Sequence, residues 1–146
     1  GLILANDDGT LSRSAASAAA VSSLNCTGTG ANAVCYGPGA NANGDFTTAI
    51  GSDSLAIQSG ATALGANSRA DGISATALGR NANATGTAAV AVGAFANANG
   101  IGTVAIGQDA NAIGENTIAI GREAVANAGS SPLSGAIAIG YRSNAS

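Results

Sequence analysis

Residues 90–121 read VAVGAFANANGIGTVAIGQDANAIGENTIAIG, in which Val90-Ala91-Val92-Gly93, Val104-Ala105-Ile106-Gly107 and Ile118-Ala119-Ile120-Gly121 recur every fourteen residues. The same run continues toward the N-terminus at Thr76-Ala77-Leu78-Gly79, Thr62-Ala63-Leu64-Gly65, Thr48-Ala49-Ile50-Gly51 and Val34-Cys35-Tyr36-Gly37. Toward the C-terminus, five extra residues intervene before Ile137-Ala138-Ile139-Gly140. A fixed period of this length is the mark of stacked repeats, because one such unit buries its apolar face only against its neighbours. The chain therefore reads as a solenoid.

Fourteen is twice seven, so a heptad coiled coil is the first rival. Glycine excludes it: Gly44, Gly72, Gly86, Gly100 and Gly114 lie halfway through their repeats, and each would cost about 1 kcal/mol inside a helix. Two glycines per repeat instead punctuate two short strands, each ending in a turn that favours positive φ. The fifth position after the repeat glycine is always alanine, from Ala42 and Ala56 to Ala112 and Ala126, and the third is always small. Side chains alternate faces along a strand, so Val104 and Ile106 share one face and Ala105 takes the other. The expectation is that the larger pair packs inward against small residues such as Ala96 and Ala98. The column Ala49, Ala63, Ala77, Ala91, Ala105 and Ala119 would then form a flat outward stripe, an interaction surface along the rod.

Composition agrees with a thin interior. The 146 residues are 46% hydrophobic, but there is no Trp, Met or His, and the aromatics are Tyr36, Phe46, Phe95 and Tyr141. The net charge is -3, from eight acids and five arginines. With no basic stripe, nucleic acid is excluded as a partner. Glycine and polar residues interrupt every apolar run well short of the ~20 residues a spanning helix needs, so no membrane contact is expected of this segment.

The run Thr/Val/Ile-Ala-Ile/Val/Leu-Gly, followed by a small residue at the third place, Ala at the fifth and Gly at the seventh, resembles the YadA-like head of trimeric autotransporter adhesins. The resemblance covers about residues 30 to 142. It implies an all-β, left-handed parallel β-roll of fourteen-residue coils, two short strands per coil, packed as a side-by-side homotrimer. The alanine stripe, Ala49 to Ala119, becomes the candidate trimer interface. By the same resemblance the full-length protein is anchored in the outer membrane and displayed on the surface of Gram-negative bacteria. No neck, stalk or anchor is recognisable within the sequence, which is read as residues 25–146 of β-roll head preceded by an irregular lead or cap over residues 1–24. Ser14 to Ser23, rich in Ala and Ser, leaves a short helix, an irregular coil or loose chain open.

Candidate chemistry is sparse. Cys26 and Cys35 both fall where the register expects a small residue; an intrachain disulfide suits a protein exported through an oxidising compartment, and two small apolar substitutes are the alternative. A nucleophilic cysteine has no histidine base, so no catalytic residue and no cofactor is expected. Asp109 and Glu123 share a column in successive coils, best read as a solvated face relieved by Arg122, and Asp7-Asp8-Gly9-Thr10 reads as a turn; no metal site is expected. Asn83, Asn97 and Asn111 share a column in which asparagine can satisfy turn backbone or form a polar array for a host ligand. Leu55, Phe95 and Tyr141 lie near the glycine turns as further exposed candidates, and the sequons at Asn25, Asn83 and Asn144 read as chance.

The function expected is that of a non-enzymatic adhesin head, self-associating and contacting a host extracellular-matrix protein or cell-surface receptor. The alternative is a spacer that projects another binding domain. An ice-binding lattice is disfavoured because Thr47, Ala61, Ala75, Ala89, Thr103 and Thr117 break the threonine column, and a hexapeptide-repeat acyltransferase by the period and the missing histidine. Ala124 to Gly135, which carries the five extra residues, is where surface variation is expected to concentrate.

Overall fold

The computed structural model describes residues 27–129 and 135–146, together with the backbone of residues 4–5 and 11–12. Cys26, Ser14 to Ser23, and residues 130–134 of the expected variable loop lie outside the described residues. Strands β1 (Leu4–Ala5) and β2 (Leu11–Ser12) pair antiparallel as a sheet of their own.

Two parallel sheets of eight strands make the roll, and the chain alternates between them. One sheet holds β3 (Val34–Tyr36), β5 (Thr48–Ile50), β7 (Thr62–Leu64), β9 (Thr76–Leu78), β11 (Val90–Val92), β13 (Val104–Ile106), β15 (Ile118–Ile120) and β17 (Ile137–Ile139). The other holds β4 (Asn41–Ala42), β6 (Leu55–Ala56), β8 (Arg69–Ala70), β10 (Asn83–Ala84), β12 (Asn97–Asn99), β14 (Asn111–Ile113), β16 (Val125–Asn127) and β18 (Asn144–Ala145). Register follows the repeat, with Ala91 beside Ala77 and Ala105, and Ala98 beside Ala84 and Ala112. Among the described residues there is no helix, and so none long and apolar enough to cross a membrane. Eight strands spaced about 4.8 Å apart give each sheet a width of roughly 35 Å.

A turn closes each seven-residue half of a coil. In one, the Ser54 N–H donates to the Gly51 carbonyl (3.3 Å); in the next, the Ala61 N–H donates to the Gln58 carbonyl (3.1 Å). The third residue of each turn is left-handed, as at Asp53 (φ 54°) and Gly60 (φ 71°). Asparagine, aspartate and glycine tolerate that region best, yet Phe46, Phe95 and Glu123 also occupy it, at roughly 1–2 kcal/mol each for the β-carbon. In the turn that follows each strand of the β3 to β17 sheet, the first residue is the repeat glycine. At Gly79, φ is 133° and a β-carbon would stand 2.6 Å from the carbonyl oxygen of Gly93 in the next coil. Both the backbone angle and the close stacking therefore demand glycine.

The interior is made of alanine. Four small residues point inward in a full coil, such as Ala96, Ala98, Thr103 and Ala105, and all four are fully buried. Ser54 and Ser68 replace alanine inside and donate their hydroxyls to the Gly51 and Gly65 carbonyls at 2.9 and 2.8 Å. Thr47, Thr103 and Thr117 do the same to Gly44, Gly100 and Gly114 at 2.6, 2.9 and 3.2 Å. Each buried hydroxyl thus has an acceptor, which removes the penalty of an unpaired polar group.

This reverses the expected inside and outside. Ala49, Ala63, Ala77, Ala91, Ala105 and Ala119 are not an outward stripe: each is 0% exposed within a single chain. Their larger neighbours face out, with Leu64, Leu78 and Ile106 exposed. The reason is steric. Fourteen residues per coil, with a tight turn in each half, enclose a gap that alanine, serine or threonine fills and that a longer Leu or Ile side chain overfills. The Thr47 to Thr117 column is also interior, so it presents no lattice to ice.

This geometry separates two substitutions. Ala91→Leu is expected to lower unfolding stability by about 1–3 kcal/mol through overpacking, whereas Thr87→Leu, at an exposed turn position, stays within about 0.5 kcal/mol. Urea denaturation followed by circular dichroism measures both.

Candidate functional site

Two outer faces remain once the interior is assigned, and they differ in chemistry. On the sheet containing β3 to β17, one column runs Thr48, Thr62, Thr76, Val90, Val104, Ile118, and the column beside it runs Ile50, Leu64, Leu78, Val92, Ile106, Ile120. The face is uncharged and rich in branched apolar side chains, half-buried or exposed along its length. Strand alternation produces it directly: once the central alanine points in, both flanking residues point out.

The opposite sheet is polar at its centre. Its columns run Leu55, Arg69, Asn83, Asn97, Asn111, Val125 and Ile57, Asp71, Thr85, Asn99, Ile113, Asn127. The polar stretch is thus bracketed by Leu55 and Ile57 at one end and by Ile113 and Val125 at the other. The expected ligand candidates Asn83, Asn97 and Asn111 are brought together here as a ladder. Asn83 Nδ2 donates to Asn97 Oδ1 at 3.0 Å, and Asn97 Nδ2 donates to Asn111 Oδ1 at 2.9 Å. Beside it the Thr85 hydroxyl donates to Asn99 Oδ1 at 3.2 Å. These asparagines are strand residues, so their amides bond along the rod to one another rather than to turn backbone.

Next to the ladder is an open cleft of about 400 Å³, lined by Asn67, Arg69, Asp71, Asn81, Ala82, Asn83 and Thr85. Arg69 Nε and Asp71 Oδ2 form an ion pair at its edge. Sequence reasoning passed over Arg69 and Asp71; the available signal was the break they make in two columns otherwise uncharged among the described residues.

A third cluster occupies one corner. Arg142 Nε donates to Glu123 Oε2 at 2.6 Å, and Arg122 stands 3.7 Å from the same carboxylate. The Arg122 and Arg142 guanidinium carbons lie 4.6 and 4.9 Å from the Tyr141 ring centre. Glu123 was expected to be relieved by Arg122; its nearer partner is Arg142, from the coil beyond the extra residues. The hydrogen bond from Arg142 holds the Glu123 carboxyl below the usual carboxylate range, with the charges of both arginines adding to it. Phe95 carries Arg80 at 4.6 Å from its ring centre, and Leu55 is half-buried at the margin of the polar face.

No group of three or more His, Cys, Asp or Glu side chains among the described residues could hold a metal ion. Cys35 sits in the inward column beside Ala49, with Sγ 3.4 Å from the Ala40 carbonyl oxygen. Its expected partner Cys26 lies outside the described residues.

The family model described as YadA head domain repeat (2 copies) matches residues 29–54, 56–82, 70–96, 84–110, 98–124 and 112–131. From residue 56 onward the matches overlap at the fourteen-residue step seen in the coils. No curated protein gives a significant match to the chain.

The corner cluster has a pH signature. Because the folded pKa of Glu123 is depressed, its pairing is in place above the ordinary carboxylate value and is lost as pH falls through the depressed one. Carboxyl NMR titration should find Glu123 titrating at lower pH than an unpaired glutamate, and Arg142→Gln should move it back upward.

Proposed function

The chain belongs to the YadA head family, and on that premise we propose that it is a non-enzymatic adhesion module: a homotrimeric head on a Gram-negative cell surface, anchored in the outer membrane by the full-length protein. The rolls wind left-handed and lie side by side. Host extracellular-matrix proteins or cell-surface receptors are the partners.

One observation carries the assembly half of this reading. The outer face of the β3 to β17 sheet is a long uncharged surface of Val, Ile, Leu and Thr, unusual for a protein that works alone. The contact is therefore assigned to Val92, Ile106 and their column neighbours, not to Ala91 and Ala105, which support it from inside. Three such faces meeting along the rod axis leave the polar face of each chain outward, toward a host ligand.

The Cys26–Cys35 disulfide belongs to the same proposal. Cys35 holds the inward position that alanine takes in the later coils, and export through an oxidising compartment would pair it. Two thiols reacting with a labelling reagent in unreduced protein would remove it.

Sedimentation equilibrium tests the assembly. The expected result is a trimer that Val92→Arg or Ile106→Glu shifts to monomer without unfolding, while Asn127→Asp leaves it intact; a monomeric wild-type chain at high concentration overturns it. Binding of the verified trimer to collagen, fibronectin and laminin tests adhesion, and a trimer that binds none of them is a spacer.

A further inference from the structure

The asparagine ladder has a direction, and its first member lacks a donor. Each amide donates to the carbonyl of the coil above, so the Oδ1 of Asn97 and of Asn111 is satisfied. Asn83 Oδ1 begins the series and is buried with no hydrogen-bond partner. The residue beside it in register, where a preceding asparagine would supply the donor, is Arg69. Arg69 turns its Nε to Asp71 Oδ2 instead. Asp71 Oδ1 is a second buried oxygen without a partner, in the adjacent column. A third, Asn41 Oδ1, does not line the cleft.

We propose that the cleft bounded by Arg69, Asp71, Asn83 and Thr85 is a saccharide-binding site, in which ligand hydroxyls donate to Asn83 Oδ1 and Asp71 Oδ1 and accept from the Arg69 guanidinium. The inference deepens the adhesin reading by naming a ligand class for the polar face, and in that sense rests on it.

Three features select this chemistry. Two orphaned acceptors in one cleft call for a ligand with at least two donors, and leaving them unmet is costly. The adjacent cation calls for acceptors on the same ligand; a sugar hydroxyl supplies both roles. A metal ion fits poorly, because a single carboxylate already paired with arginine would be its one anionic ligand. Leu55 and Ile57, half-buried in the coil next to Arg69 and Asp71, lie just beyond the cleft's own lining and offer apolar surface toward which the C–H face of a pyranose can extend. Both oxygens are buried in the free chain, so binding requires side chains at the cleft to shift, and Arg69, long and 54% exposed, has room to reorient its guanidinium toward a ligand. The ~400 Å³ of space lies within the range of small-ligand pockets.

The test is an NMR titration of the full chain with D-galactose, D-mannose and N-acetyl-D-glucosamine, each alone, and with calcium chloride. At least one sugar should shift the Asn83 side-chain amide and the Arg69 Nε–H signal. Asn83→Leu and Asp71→Ile should each weaken that sugar's binding about tenfold or more. Both changes place in a column a residue it already holds at Leu55 or Ile57, so the fold should survive, as an unchanged backbone spectrum would verify. Gln108→Ala, at an exposed turn position away from the cleft, should leave binding within about twofold. The proposal is overturned if no sugar shifts these signals, if binding survives both cleft variants, or if calcium alone shifts them. Matrix-protein binding by the same variants keeps the two readings apart: adhesion without sugar binding removes the cleft proposal alone, and sugar binding without adhesion removes the adhesin reading alone.

Discussion

The constraint on which the rest depends is the contact between repeat glycines. Gly51, Gly65, Gly79, Gly93 and Gly107 each stand so close to the carbonyl of the glycine above that a β-carbon would lie 2.5–2.7 Å from it. That contact keeps successive corners in line, fixes the backbone at an angle other residues avoid, and narrows the coil until the enclosed space takes a methyl or a small hydroxyl-bearing group. A buried methyl contributes only about 0.8 kcal/mol. Cohesion therefore comes from repetition: inter-coil hydrogen bonds of 2.7–3.2 Å recur from coil to coil, together with the same small side chains in the same places.

A narrow interior pushes every large side chain outward, and the two sheets use that surplus differently. The sheet of β11 and β13 spends it on Val, Ile and Leu, an uncharged surface half-buried or exposed along its length. The sheet of β10 and β12 carries amides, with one arginine and one aspartate breaking the series. A wide globular core would have absorbed Ile106 and Leu64. The thin roll cannot, and so carries one apolar outer face and one that is polar at its centre.

The period, the strands and the turns are legible in residues 90–121 because glycine spacing records backbone geometry directly. The choice of face was not legible. A hydrophobicity ranking puts Ile106 inside ahead of Ala105, and only the gap between the sheets, which no single strand encodes, reverses it. The asparagine column could be read from spacing, but not the direction of its hydrogen bonds. Arg69 and Asp71 escaped notice because a departure from a repeat looks like noise until its neighbours are placed around it.

Between β15 and β17 the register advances by nineteen residues instead of fourteen, Ile118 pairing with Ile137, and the coil beyond resumes its place with Val125 beside Asn144. Alignment is thus dictated by contact with the previous coil and not by the length of chain between strands. The corner after Asn127 is a natural grafting point, where segments of different length can be exchanged while the scaffold on either side keeps its geometry. A lineage of such rods could diversify there by insertion and deletion, and elsewhere by adding or removing whole coils.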